Sequence, residues 1–399
     1  MEDEFEDKIV AEIFIAHMRI FSKFFGDFGV RFPLVSYFLH YLRLLACKQE
    51  VILVSVALLF VVILLHITDL WTSPILRRFN FSAAVNFGVF LSPPSLKTAQ
   101  QFFKGVNNHV GEPAVFSNVG HENVEYRDGN VEVTARKGRR LTMEDRFTVV
   151  NNIPGTAFSL YAVFDGHGGN FAVDLVHSTL VKRLQARLSD VNEGGQKSEV
   201  LSSVSKLLKQ EILDVDSDVI KRGKAVSSFS GSTALVAVSW KGRHLVVANV
   251  GDSRGVMCDS KGSAVPLSYD HKPHQEKEKR RIEEVGGFIS FNGVWRVQGV
   301  LATSRALGDF PLKTKGVVIA EPDILTFDLK DWEPPLFILA SDGLWDTVTS
   351  DEACRIASKA NPGSRSQILA EHAFDKGSTD NICVLLVNFP SSFWENTKE

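Results

Sequence analysis

The stretch YAVFDGHGG (161–169) runs apolar for four residues and then ends on an aspartate, a histidine and three glycines. An apolar, strand-like run delivering a carboxylate at its end recurs in VANVGDSRG (247–255) and LASDGLWD (339–346), where Asp252 and Asp342 hold the position that Asp165 holds here. Asp380 lies beside a further apolar run in TDNICVLLV (379–387). Burying an ionised carboxylate alone is costly, and several gathered together repel one another unless cations offset the charge. Taken singly, an Asp-Gly pair reads as a turn. Repeated at the ends of apolar runs, with RRLTMED (139–145) upstream, the carboxylates read as a cradle for a hard divalent cation. Oxygen ligands without paired His or Cys select Mg²⁺ or Mn²⁺ over zinc, and a glycine after the aspartate lets a backbone carbonyl approach the metal.

The 399 residues, 44% hydrophobic and 23% charged, suffice for one large domain with appendages. A net charge of -3 provides no broad basic field, so nucleic acid is not expected as a partner. The four cysteines, Cys47, Cys258, Cys354 and Cys383, show no CxxC spacing and read as reduced core residues, which favours the cytosol for the folded region.

The segment VILVSVALLFVVILLHI (51–67) carries no formal charge, and as a helix it would cover roughly 26 Å, close to the thickness of a bilayer core. It reads as an uncleaved transmembrane helix, because the opening MEDEFEDK (1–8) is acidic and the segment lies too far along the chain for a signal peptide. Whether FPLVSYFLHYLRLLA (32–46) also enters the bilayer or lies at its interface stays open. The expected division is a membrane-associated region at 1–50, the span at 51–67, a linker at 68–122, a catalytic domain at 123–390 and a tail at 391–399. A short span favours the endoplasmic reticulum, with the catalytic part facing the cytosol. Sugar on the sequon residue Asn80 would contradict that orientation.

Strand-like runs recur after 123: VEVTA, FSLYAVF, STALVAVSW, HLVVANV, GVVIA, LFILA and NICVLLVNF. Helical periodicity appears at 170–188, through Val176, Leu180, Leu184 and Leu188, and at 198–221, through Leu201, Val204, Leu208 and Ile212. HQEKEKRRIEEVGG (274–287) reads as a solvated helix ended by its glycines. Strands and helices do not alternate strictly, so a sheet core covered by helices fits best.

Between 131 and 388 the chain resembles the metal-dependent type 2C (PPM) Ser/Thr protein phosphatases. The motifs that carry the resemblance are GRRLTMEDRF, VFDGHGG, GSTALVAV, VANVGDSRG, DHKP, RVQGVLATSRALGD, ASDGLWD and TDNICVLLV, in the family's order. With the hydrophobic N-terminal segment, the resemblance is to a membrane-anchored form of that family. It implies an α+β fold, a central sandwich of two antiparallel β-sheets flanked by α-helices, here preceded by the transmembrane helix. It also implies roles: Asp165 bridges two metal ions, with the Gly166 carbonyl on one of them, and Asp342 and Asp380 hold the other. Glu144 and Asp145 bind through metal waters, and Asp252, Asp342 and Asp346 match a weaker third site. Arg140 corresponds to the phosphate-binding arginine and His167 to the general acid.

The reaction implied is direct attack on phosphoserine or phosphothreonine by a water that two cations have deprotonated, with no covalent intermediate. The chain lacks the Cys-x5-Arg loop of cysteine-based phosphatases. Arg140 would hold the phosphoryl oxygens and His167 would protonate the departing alkoxide. The role of Asp309 is left open, and Ser304 has no G-x-S-x-G context for a nucleophile. The expected partners are phosphoproteins, among them components of stress-kinase pathways with which such members are associated, so that the enzyme damps kinase signalling. The catalytic domain is expected to be monomeric. A catalytically idle, membrane-anchored phosphoprotein adaptor is the alternative.

Overall fold

The computed structural model describes residues 122–259, 261–332 and 336–389. The candidate span at 51–67, the segment at 32–46, the linker up to 121 and the tail after 389 lie outside them. Among the described residues no helix is long and apolar enough to cross a membrane.

In chain order the elements begin with β1 (Asn123–Asp128), β2 (Val131–Arg136), β3 (Arg146–Val150), β4 (Phe158–Phe164), β5 (Gly166–His167), α1 (Asn170–Leu188) and α2 (Lys197–Ala225). Then come β6 (Gly231–Ser232), β7 (Ala234–Trp240), β8 (His244–Val250), β9 (Arg254–Cys258), β10 (Ala264–Pro266), α3 (Glu276–Glu284), β11 (Ile289–Asn292) and β12 (Val294–Val297). The rest are β13 (Leu307–Gly308), α4 (Phe310–Thr314), β14 (Asp323–Asp328), β15 (Leu336–Ala340), α5 (Asp342–Trp345), α6 (Ser350–Lys359), α7 (Arg365–Asp375) and β16 (Ile382–Asn388).

Two antiparallel sheets carry the fold, one in the order β1-β2-β16-β15-β9-β10 and the other β14-β8-β7-β4-β3. Their facing sides share one core: Phe147 and Val149 from β3, Tyr161 and Val163 from β4, Phe337 and Leu339 from β15, Cys383 and Leu385 from β16. The alternate residues point outward and are equally buried. Phe158, Leu160, Ala162 and Phe164 of β4 pack under α1 and α2, while Ile382, Val384 and Leu386 of β16 pack under α5, α6 and α7. A strand covered on both faces needs apolar side chains at both parities, which is why these runs show no polar alternation.

The helices follow the same logic. Val176, Leu180, Leu184 and Leu188 are buried on the face of α1 that meets β4. The start of α2 is set by a capping box in which the Gln196 backbone N–H donates to Glu199 Oε2 at 3.1 Å.

Three expectations change. GVVIA forms no strand; Val317 and Val318 are buried in a small cluster with Ile282, Val297 and Ala306. A short buried apolar run has no periodicity that separates the two outcomes. Cys258 of β9 and Cys354 of α6 are not two separate thiols but a disulfide pair, their Cα atoms 5.2 Å apart, while Cys383 is free and buried. The helix α3 is not wholly solvated, since Glu278 is buried on its inner face.

Candidate active site

The strand registers put the acidic residues on one rim. Arg146 at the start of β3 pairs with Phe164 at the end of β4, so Asp145 and Asp165 leave the sheet at the same end. Val250 at the end of β8 pairs with Ala234 and is followed by Gly251 and Asp252. In the other sheet Ala340 pairs with Val384 and with Arg254, so Asp342 follows β15 beside the residues that precede β16, Asp380 among them. The two sheets are tied at this rim by Ser341, whose Oγ donates to Asp145 Oδ2 at 2.7 Å and accepts from the Cys383 N–H at 3.0 Å.

Close packing explains the glycine after Asp165. A Cβ at Gly166 would lie 2.7 Å from the Glu144 carbonyl oxygen and 2.8 Å from the Val173 side chain. Only glycine lets β5 pass between the Glu144 backbone and α1.

The carboxylates act on one another. Burial pushes the Asp145 carboxyl up to about 8, with Asp380 and Asp342 adding to it and Ser341 and Arg146 opposing. Asp165 is raised well above the usual carboxylate range by desolvation and then by Asp145, Asp252 and Asp380, and it hydrogen-bonds Asp342. Desolvation raises Asp342 as well, helped by Asp165, Asp252 and Asp346 and opposed by Lys272. Asp346, on an exposed turn, is raised by desolvation against the pull of Lys272. One rim therefore holds more negative charge than the buried groups can keep ionised.

Two cationic side chains already lean on this charge. Arg140 Nη2 donates to Asp380 Oδ2 at 2.5 Å, and Lys272 Nζ to Asp252 Oδ2 at 2.6 Å. The Lys272 ammonium is held above its ordinary range by Asp252 and Asp342 despite its burial. Arg139 turns away and stacks on the Phe374 ring at 4.7 Å. Among the described residues no three acidic, histidine or cysteine side chains close on one point as a ready-made metal sphere. The donor set nevertheless fits hard cations: it consists of oxygens, and the repulsion that raises Asp145, Asp165 and Asp342 is what a divalent ion would relieve.

Glu144 stands beside the rim. Its carboxylate accepts from Thr142 Oγ1 at 2.8 Å and from the Gly169 N–H at 3.1 Å, which orients the glycine turn before α1. His167 follows Asp165 on β5, with Nε2 2.8 Å from Asp309 Oδ2. Burial lowers the basicity of this imidazole, but Asp309, Asp252 and Glu144 outweigh it and leave the ring above its ordinary range.

All ten residues singled out from sequence, Arg140, Glu144, Asp145, Asp165, Gly166, His167, Asp252, Asp342, Asp346 and Asp380, thus lie at the strand-end rim or interact with a group on it. Three further participants carried no assigned role. Lys272 was visible inside DHKP and Ser341 inside ASDGLWD, but neither shows its partner in the sequence. Asp309, left open above, is resolved by its contact with His167. Ser304 is buried and spent on the His271 carbonyl and Glu278, so it is not a nucleophile.

Residues 129–382 match the family model described as protein phosphatase 2C. The chain is 46% identical to protein phosphatase 1L of Bos taurus over 273 residues, 67% of this chain and 74% of that one. It is 39% identical to probable protein phosphatase 2C 59 of Oryza sativa over 254 residues, 63% and 73% of the two chains. Among solved structures, a serine-threonine phosphatase 2C from Toxoplasma gondii superposes with a TM-score of 0.60 at 25% identity, covering 69% of this chain and 99% of its own. A fold of two helix-flanked antiparallel sheets, an acidic rim beside an arginine and a histidine, and a family match over most of the described residues agree: the chain belongs to the protein phosphatase 2C family and is a protein Ser/Thr phosphatase.

Proposed function

We propose that the chain is a membrane-anchored, Mg²⁺- or Mn²⁺-dependent phosphatase that removes phosphate from phosphoserine and phosphothreonine and so damps kinase signalling. The observation that carries this is the convergence of Asp145, Asp165, Asp252, Asp342 and Asp380 from the strand ends of both sheets onto one rim, next to Arg140 and His167. Asp165, the Gly166 carbonyl, Asp342 and Asp380 would hold two ions, with Glu144 and Asp145 acting through water. Asp252, Asp342 and Asp346 would hold a weaker third. When bound, these cations would offset the carboxylate charge and acidify the attacking water.

The protein's own groups do the rest. Arg140, now on Asp380, would turn its planar guanidinium to the phosphoryl oxygens once Asp380 is otherwise engaged. His167 would give a proton to the departing serine or threonine oxygen, a strongly basic alkoxide that leaves poorly without one. An idle adaptor has no need of this full set.

Metal removal tests the reading. Chelated full-length chain should lose turnover of a phosphoserine peptide, and Mg²⁺ or Mn²⁺ should restore it. The same ions should add about 2.7 kcal/mol of stability at a hundredfold excess over Kd, read as a raised melting temperature. Undiminished turnover in chelator, or a melting temperature indifferent to Mn²⁺, would count against it.

The division at 1–50, 51–67, 68–122, 123–390 and 391–399 belongs to the same proposal, supported by strands that, among the described residues, begin at Asn123 and end at Asn388. Anchoring through 51–67 in the endoplasmic reticulum membrane with the rim facing the cytosol rests on the apolar run alone; it requires Asn80 to stay unglycosylated in cells.

A further inference from the structure

Three short strands form a sheet of their own beside the acidic rim, in the order β13-β6-β5. Gly166 and His167 pair with Ser232 and Gly231, and Gly231 pairs on its other side with Gly308. His167 on β5 and Asp309, the residue after β13, therefore flank a glycine. A Cβ at Gly231 would collide with both the Asp309 carboxylate and His167 Nε2, so the bare backbone at 231 is what lets the two side chains meet. Their contact is 2.8 Å, from Nε2 to Oδ2.

Asp309 is itself held in an unusual way. Its backbone is left-handed, at φ 51° and ψ 44°, and its N–H donates to the Ser230 carbonyl at 3.1 Å. The preceding Gly308 N–H donates to Asp216 Oδ1 at 2.9 Å, and Asp216 also takes Lys313 Nζ at 2.8 Å. A non-glycine residue adopts this left-handed conformation only at an energetic cost, so the surrounding contacts must hold it there. The carboxylate they aim is buried, 6% exposed, and its described partner is the histidine.

We infer that Asp309 is the positioning residue of the phosphatase reaction, fixing His167 through Nε2 so that Nδ1 is the ring nitrogen left to face the leaving group. The inference rests on the proposed role of His167. As the bond from phosphorus to the ester oxygen breaks, its electron pair stays on that oxygen, which takes the proton from His167 Nδ1. The oxygen of water forms the new bond to phosphorus and its proton passes to solvent, while the ring, now neutral, regains a proton from solvent. A carboxylate on the opposite nitrogen keeps the ring in one orientation.

The test compares two substrates and two variants in the full-length chain with Mn²⁺. Asp309→Asn should lower kcat on a phosphoserine peptide by about 10- to 100-fold with KM little changed, because a positioned general acid supplies about 10²–10⁴-fold. On p-nitrophenyl phosphate, whose leaving group needs no proton, the loss should be at least about tenfold smaller. Added to His167→Gln, Asp309→Asn should change peptide turnover by less than about twofold, since both act through one proton. Equal losses on the two substrates, or full multiplication in the double variant, would overturn the inference. If Asp309→Asn does not fold, Gly231→Ala, which forces the same pair apart, is read in the same assay with the same criteria. A wild-type chain without metal-dependent turnover of either substrate would instead sink the underlying phosphatase mechanism.

Discussion

Asp165→Asn is expected to lower Mn²⁺-dependent turnover by at least about 10³-fold while raising the melting temperature of the chelated protein. The first part follows from the role proposed for Asp165 as a ligand of the cations: losing the transition-state stabilisation they would supply removes several kcal/mol, and each 1.36 kcal/mol is about tenfold in rate. The second follows from the rim's own electrostatics. Asp165 is desolvated and faces Asp145, Asp252 and Asp380, so without cations its charge opposes folding. Asparagine keeps the shape and a hydrogen bond toward Asp342 but sheds the charge. In a domain of this size each kcal/mol of relieved repulsion is worth about 2–4 °C. Thermal melts in chelator and with Mn²⁺ decide it: the variant should start higher and gain less from the metal. A variant that melts lower in chelator, or keeps its turnover, would contradict the arrangement. A variant that does melt higher makes the rim an instance of stability given up for function.

Glu278→Gln is expected to destabilise the fold by about 3–5 kcal/mol at neutral pH, the usual consequence of removing one partner from a buried ion pair. Glu278 accepts from Arg305 Nε at 3.1 Å, from Arg281 Nη2 at 3.0 Å and from Ser304 Oγ at 2.9 Å. Arg305 continues to Asp323 at 2.9 Å, and Asp323 lies 3.3 Å from His271 Nε2. His271 Nδ1 in turn accepts the Gly251 N–H at 3.0 Å, next to Asp252. The network thus runs from the inner face of α3 to the acidic rim.

Burial alone would raise the Glu278 carboxyl, but Arg305, Arg281 and Ser304 bring it down to about 2 from 4.5. That shift corresponds to about 3 kcal/mol, at 1.36 kcal/mol per unit. Its folded value is depressed, so the stabilisation is complete above the unfolded value and is lost as pH falls from 4.5 toward 2. Urea midpoints of wild type and Glu278→Gln should therefore differ most at pH 7 and converge as the pH is lowered from 4.5 to 3. A gap that stays constant over that range would refute the assignment.

Much of this architecture was legible before any coordinates. Runs such as 160–164 and 382–387 are apolar at every position because each strand is covered on both faces, and their short length with β-branched and aromatic residues separates them from helices. Asp165, Asp252 and Asp342 announce themselves because a carboxylate ending such a run needs a physical excuse. GVVIA misleads for the same reason that the others inform: it is apolar and buried, but it fills the cluster under α3 without pairing as a strand. KEKRR reads as solvent-facing charge because a string of letters shows Glu278 without Arg305, which arrives 27 residues later in the chain and in the core of the protein. Cys258 and Cys354, 96 residues apart, are equally silent about each other.

The sequence alone therefore determined which segments are buried, that acidic groups close several of them, and that hard cations suit the oxygens on offer. Those properties belong to individual residues and their near neighbours. Only the tertiary structure decided which groups meet: that Ser341 bridges the sheets through Asp145, that Arg140 rests on Asp380, and that His167 finds Asp309 across Gly231. Such meetings depend on strand register and sheet order, which bring together residues 142 positions apart, and no local pattern of side chains encodes that distance.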